Sequence, residues 1–198
     1  MLTADERTHL ADAVRAAERS GTRRTTRWHV ITGAPGSGKT TLARALGASG
    51  HAVIDDPARR LLEQSALPLR DDYRAFQHLV LRETRALWET LDPQSPWVLD
   101  YGIAEPLAFL KASGLAWEDA FVAEAARWRF ACVWRLQPIT LDAAARADRV
   151  RVESPEKRER LHELIGEIYA ALGVVPVDFA PGAAARLARA QALLRAAR

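Results

Sequence analysis

Gly33-Ala34-Pro35-Gly36-Ser37-Gly38-Lys39-Thr40 governs how the rest of this sequence is read. The stretch satisfies every fixed position of the phosphate-binding pattern G-x-x-x-x-G-K-[ST]. A β-rich run, Trp28-His29-Val30-Ile31-Thr32, precedes it, and a helix-forming run, Thr41-Leu42-Ala43-Arg44-Ala45-Leu46, follows. A glycine-rich turn matching by chance would not come with that strand and helix. Glycines let the backbone curl and aim its N–H groups at phosphate oxygens. The helix N-terminus adds a partial positive charge. The expected triphosphate cradle is therefore Gly33, Ala34, Pro35, Gly36, Ser37, Gly38, Lys39, Thr40 and Thr41. Lys39 is expected to bridge the β- and γ-phosphates, and Thr40 to ligate Mg2+.

Working outward, four more short apolar runs have the look of strands: Ala52-Val53-Ile54, Trp97-Val98-Leu99, Ala131-Cys132-Val133-Trp134 and Val174-Val175-Pro176-Val177. Helical patterns separate them. Asp71 to Leu91 carries Phe76, Val80, Leu87 and Leu91 on one face, beside Leu79 and Trp88. Pro155 to Leu172 opens on a Ser154 cap with proline at the first helical position and stops at Gly173. Pro181 to Arg198 reads as a final helix rich in alanine and arginine. Apolar strands alternating with helices imply an α/β fold, a five-stranded parallel sheet covered on both faces. At the N-terminus, Thr3 and Glu6 fit a capping box. It opens a helix within residues 1–21 whose apolar face (Leu10, Val14, Ala17) is thin enough to predict loose packing. Thr22 to Arg27 reads as a polar linker, and residues 28–198 as one domain.

Sites in such sheets lie at the carboxyl ends of the strands, so strand-end acids are the next candidates. Asp100 closes the run Trp97-Val98-Leu99 and is placed to hold Mg2+; a turn-forming aspartate is the plainer reading. Val53-Ile54 leads into Asp55-Asp56-Pro57-Ala58-Arg59. A kinase of a hydroxylated substrate needs a carboxylate to take the hydroxyl proton, and either aspartate fits. Arg59, one turn on, would hold an anionic group of the acceptor. Asp56 also fits a helix cap ahead of Pro57. Residues 137–160 are dense in arginine and form a candidate lid. Arg149 and Arg151, then Arg146, are the arginines expected to meet the triphosphate, although a solvated arginine face explains the density as well.

Composition narrows the field. The 198 residues are 48% apolar and 27% charged, the balance of a globular chain. The net charge is only +3, a weak field despite a pI near 9.4. Of 28 Lys+Arg, lysine supplies only Lys39, Lys111 and Lys157. The remaining basic residues, notably those of the last helix, are assigned to an arginine-rich composition. No basic stripe interleaved with aromatics is present, which argues against nucleic acid as a partner. Trp28, Trp97 and Trp134 read as core; one of Trp88, Trp117 and Trp128 is left free to stack on a base. Cys132 reads as a buried, inert thiol. No Cys/His cluster has zinc spacing, and no apolar run is long enough for a membrane helix. The N-terminus has no secretory character. A cytoplasmic location and no membrane partner are expected.

With these residues in hand, the chain resembles a group of small P-loop "AAA domain" ATPases and kinases. That group includes the nicotinamide-riboside kinase domain of a bacterial NAD regulator. The resemblance covers about residues 28–180. It is carried by ITGAPGSGKTTLARAL (31–46), IDDPARRL (54–61), AFQHLVLRET (75–84), VLDYGIAEPLAFLKASGL (98–115) and ADRVRVESPEKRERLHELIGEIYAALGVVPVDF (147–179). It implies a three-layer, nucleoside-monophosphate-kinase-like fold with strand order 2-3-1-4-5 and an arginine-rich lid. It sets Asp56 where the family usually has glutamate, followed by a matching Arg59. The family commonly reads Asp-Arg-Gly after the third strand; here Asp100-Tyr101-Gly102 puts Tyr101 in the acceptor-binding position. Glu105 replaces an aspartate. Residues 1–21 lie outside the resemblance.

The expected function is a phosphotransferase using ATP (or another NTP) with Mg2+ and a small hydroxylated, nucleoside-like acceptor. A nucleotide hydrolase and a nucleotide-binding regulator are the alternatives. A homodimer is compatible with the sequence. No N-K-x-D guanine motif is present, and the chain has no room for the separate lid domain of a full AAA+ motor.

Overall fold

The computed structural model describes residues 1–64, 72–139 and 154–197. Five parallel strands form the central sheet: β2 (His29–Thr32), β3 (Val53–Ile54), β4 (Val98–Leu99), β6 (Cys132–Leu136) and β7 (Val177–Phe179). They lie in the order β3-β4-β2-β6-β7, the expected 2-3-1-4-5 counted over these five. β2 is central, with Val30 beside Leu99 on one side and Val133 on the other. The last strand begins later than the Val174–Val177 run predicts: Val175 is exposed, and pairing starts with Trp134 beside Val177.

Alternation along the strands divides the core into two layers. Ile31, Val98, Trp134, Leu136 and Phe179 face α2 (Lys39–Ala48) and α8 (Ala183–Ala196), meeting Leu42, Leu46, Ala190 and Leu194. Val30, Leu99 and Val133 face the opposite layer. There α5 (Ala104–Ala112) packs on α7 (Pro155–Ala171), and α4 (Tyr73–Glu89) lies beside α5. Ser154 caps α7 through the N–H of Lys157, with Pro155 at its start, as the sequence predicts. The buried face of α4 is Phe76, Gln77, Val80, Thr84 and Trp88, so two polar residues sit where apolar periodicity does not point.

The N-terminal segment departs from expectation twice. α1 (Ala4–Arg19) has the expected capping box, yet it is not loosely attached. Leu10 is fully buried, and α1 packs on α6 (Asp119–Arg127) and α7. Lys111 reaches Glu6 at 2.8 Å, and the main-chain N–H of Leu2 donates to Glu167 at 2.7 Å. Residues 22–27 are not merely a linker: β1 (Arg24–Thr25) pairs in parallel with β5 (Trp128–Arg129). Behind that pair, Trp28, Trp88 and Trp128 pack edge and face, with centroids 5.0 to 5.9 Å apart. Trp88 and Trp128 are thus core residues, and Trp117 donates to the Leu107 carbonyl. Trp97 and Cys132 are half-buried instead of core, and burial pushes the Cys132 thiol up, away from thiolate reactivity. Among the described residues no helix is long and apolar enough to cross a membrane.

Leu10→Ala should cost about 2–5 kcal/mol in urea unfolding, the range for emptying a packed leucine site. A loss under about 0.5 kcal/mol would restore the picture of a loosely attached helix.

Candidate active site

The phosphate loop leaves the carboxyl end of β2, at the centre of the sheet, and ends in α2. Gly33 has φ +141°, and a Cβ there would stand 2.7 Å from the Leu136 carbonyl oxygen and 2.9 Å from Ser37 Oγ. No other residue fits where the loop presses on β6. The Ser37 hydroxyl is buried without a hydrogen-bond partner. Lys39 curls back over the loop: its Nζ donates to the carbonyls of Gly33 at 2.6 Å and Ala34 at 3.3 Å. Thr41 is exposed on the first turn of α2.

Three acids feel the Lys39 charge, each from a different element. Asp100, at the end of β4, is 1% exposed. Burial pushes its carboxyl up to about 7; Lys39 and a hydrogen bond with Thr40 oppose this, while Asp56 and Asp55 push it further. Its Oδ1 is buried and unpartnered. Asp56 follows β3 and caps α3 (Pro57–Gln64), with Oδ1 accepting from the N–H of Ala58 at 2.8 Å and of Arg59 at 3.3 Å. Burial raises its pKa, against Lys39, those two N–H groups and the Arg59 charge. Asp55 is exposed. Of the two adjacent aspartates, Asp56 is the half-buried one and the one whose carboxyl feels the Lys39 charge.

The third acid is Glu105, in the first turn of α5. It is 1% exposed, and its Oε1 accepts from the Thr32 hydroxyl at 2.7 Å. Burial pushes it up to about 7, opposed by Lys39, Thr32 and the N–H groups of Glu105 and Gly102. A Cβ on Gly102 would collide with the Tyr169 hydroxyl and stand 2.7 Å from Glu105 Oε2, so glycine lets this acid tuck beneath the loop that follows β4. Tyr101 is 5% exposed, packed with Phe76 and Val80; its ring builds the wall beside the acids more than an open surface.

The residues present suit a phosphate chain and a hard cation. The loop supplies N–H groups and an ammonium. Thr40 and Asp100 form a hydroxyl–carboxylate pair with one oxygen unoccupied. Magnesium is held by one or two protein ligands plus phosphates, and does not need a complete protein cage. Accordingly, no preformed cluster of three or more His, Cys, Asp or Glu occurs among the described residues.

Arg146, Arg149 and Arg151 lie outside the described residues, as does most of the 137–160 segment. Its described edge holds a different arginine: Arg158 donates to the carbonyls of Pro35 and Ile139, both at 2.9 Å. Arg186 of α8, attributed above to composition, is 5% exposed and donates to the Ser37 carbonyl. Its signal was present in the sequence: Arg186, Ala190 and Leu194 share one helical stripe. A broad groove between α4 and α6, lined by Leu79, Arg82, Ala86, Ala120 and Ala123, contains none of the phosphate-loop residues.

A parallel sheet of this order with a glycine–lysine loop after its central strand is the P-loop kinase fold. The chain belongs to the AAA domain family, whose pattern matches residues 28–186. No curated protein matches the sequence. Among solved structures, deoxyadenosine kinase from M. mycoides with products dCMP and dCDP bound aligns with a TM-score of 0.61. The identity is 16%, over 86% of this chain and 100% of that one. The kinase with dATP gives 0.61 at 16% identity over 85% and 98%, and with dCTP 0.58 at 16% over 85% and 99%. At such identity the likeness is one of fold.

Glu105 offers a test by pH. Its folded pKa is raised, so its contribution to stability is full below the unfolded value of 4.5 and is lost as pH rises through about 7. Glu105→Gln should match wild type near pH 4 and become the more stable protein by pH 8, by on the order of 3 kcal/mol. A stability difference that stays constant from pH 4 to 8 would contradict a buried, neutral Glu105.

Proposed function

We propose that this chain is an ATP- and Mg2+-dependent phosphotransferase whose acceptor is a small hydroxylated, nucleoside-like metabolite. The observation that carries the reading is Asp56. Its carboxylate, at the end of β3, is half-buried within reach of the Lys39 charge and is a second acid besides the one assigned to the cation. Its raised pKa makes it a stronger base, matched to removing a hydroxyl proton. The cap on α3 engages Oδ1 and fixes the carboxyl in place, leaving Oδ2 outside the cap.

The other residues take complementary roles. The N–H groups of 33–41 receive the phosphate chain, and Lys39 moves from its carbonyl partners to the β- and γ-phosphate oxygens. Thr40 and Asp100 would hold Mg2+, which when bound neutralises charge on the phosphates. An Asp100 carboxyl near 7 in the free protein sheds its proton to bind it. Arg59 and the Tyr101 wall are assigned to the acceptor, and Arg146, Arg149 and Arg151 to the triphosphate. The fold shared with a deoxyadenosine kinase supports a nucleoside-like acceptor.

Incubation of the full chain with γ-labelled ATP and a panel of nucleosides and other hydroxylated metabolites should move label onto one acceptor class. Lys39→Ala should reduce transfer to background, and Asp56→Asn should lower kcat by about 10²–10⁴-fold. Label released only as free phosphate, whatever the acceptor, would replace this reading with a hydrolase.

A further inference from the structure

Arg186 spends its guanidinium entirely on main chain. Nη1 donates to the carbonyl of Ser37 in the phosphate loop. Nη2 donates to Gln137 at 2.8 Å and Phe179 at 3.4 Å, and Nε to Ala180 at 2.7 Å. These carbonyls belong to three separate segments: the loop after β2, the chain just beyond β6 and the end of β7 with the residue that follows it. Among the described residues no carboxylate forms an ion pair with Arg186, so the carbonyl dipoles alone offset a buried cation. The position does not serve the helix, because a cation in the first turn of α8 opposes its dipole. Nη1 also sits 3.2 Å from where a Cβ on Gly38 would stand, against the start of α2.

The geometry of the site says which ligand part this clamp faces. Asp56 and Asp100 follow β3 and β4, on one side of the phosphate loop, and Glu105 lies against the end of β2 itself. A triphosphate lying along the loop must carry its nucleoside toward the other side, over the ends of β6 and β7. That wall is made of residues 137–139 and 179–182, the segments Arg186 holds against Ser37. Resting on the nucleotide assignment above, we infer that Arg186 is a positioning residue that sets the nucleoside wall at a fixed distance from the phosphate loop, so that base and phosphates are bound as one unit. Its planar fork is what three diverging segments require; a lysine ammonium presents its donors from one point and cannot span them. Arg158 provides a second tie between the loop and the β6 exit, through Pro35 and Ile139. When Arg186 is replaced the phosphate loop keeps its anchor to the β6 exit, and the β7 exit keeps its tie to β6, where the Gln137 N–H donates to Phe179 at 3.0 Å, but loses its link to Ser37.

The test compares two ligands on the full chain by calorimetry: MgATP, which spans loop and wall, and Mg-tripolyphosphate, which reaches the loop alone. Arg186→Met should weaken MgATP roughly tenfold or more and tripolyphosphate less than about twofold. Arg186→Lys should shift the ratio of the two affinities in the same direction, and it decides the matter if the methionine variant does not fold. Equal weakening of both ligands, or none of either, overturns the inference and leaves the proposed function standing. Wild-type protein that binds neither ligand overturns both.

Discussion

Everything in this structure depends on β2 lying between β4 and β6. A parallel sheet offers ligands the crevice beyond the carboxyl ends of its strands, where the connections part to opposite faces. Here the connection after β2 enters α2 on the face it shares with α8, while the connection after β4 enters α5 on the other face. The loop from Gly33 to Thr40 is thus held at the divide, with strand-end acids on one side and arginine-clamped main chain on the other. Gly33, pressed against Leu136, shows how little freedom remains there.

Lys39 is the electrostatic counterpart of that position. It is one of only three lysines, and its charge opposes the upward shift of Asp56, Asp100 and Glu105. Without phosphate it borrows the carbonyls of its own loop. Those partners are weak beside a phosphate oxygen, so the free protein keeps its cation in place at little cost when a ligand arrives. Asp100 and Glu105 share the same burial but stand differently. Each leaves one buried carboxylate oxygen without a partner, but Asp100 pairs with Thr40 of the phosphate loop, whereas Glu105 takes the Thr32 hydroxyl through Oε1 and so braces α5 against the end of β2.

The parts of this arrangement legible in the sequence are those with local signatures. The phosphate loop, the Thr3 and Ser154 caps, the five apolar runs and the acids ending two of them follow from spacing and neighbours alone. Asp56 was legible both as cap and as candidate base, and the structure has it as the cap while facing it toward Lys39. What escaped depends on tertiary contact. Glu105 reads as an ordinary acid in a helix's first turn until Thr32 and Gly102 are brought beside it. Gln77 and Thr84 break the apolar face of α4. Arg186 was hidden by the arginines around it, although it shares a stripe with Ala190 and Leu194. The tightness of α1 came from α6, α7 and Lys111, none of which its own thin apolar face reveals.

The most direct measurement is backbone hydrogen exchange of the full chain with and without MgATP. The account predicts slowed exchange in residues 33–41 and 137–139, with the α4–α6 groove around Leu79 and Ala123 unchanged. Slowed exchange in that groove, with residues 33–41 unaffected, would contradict it.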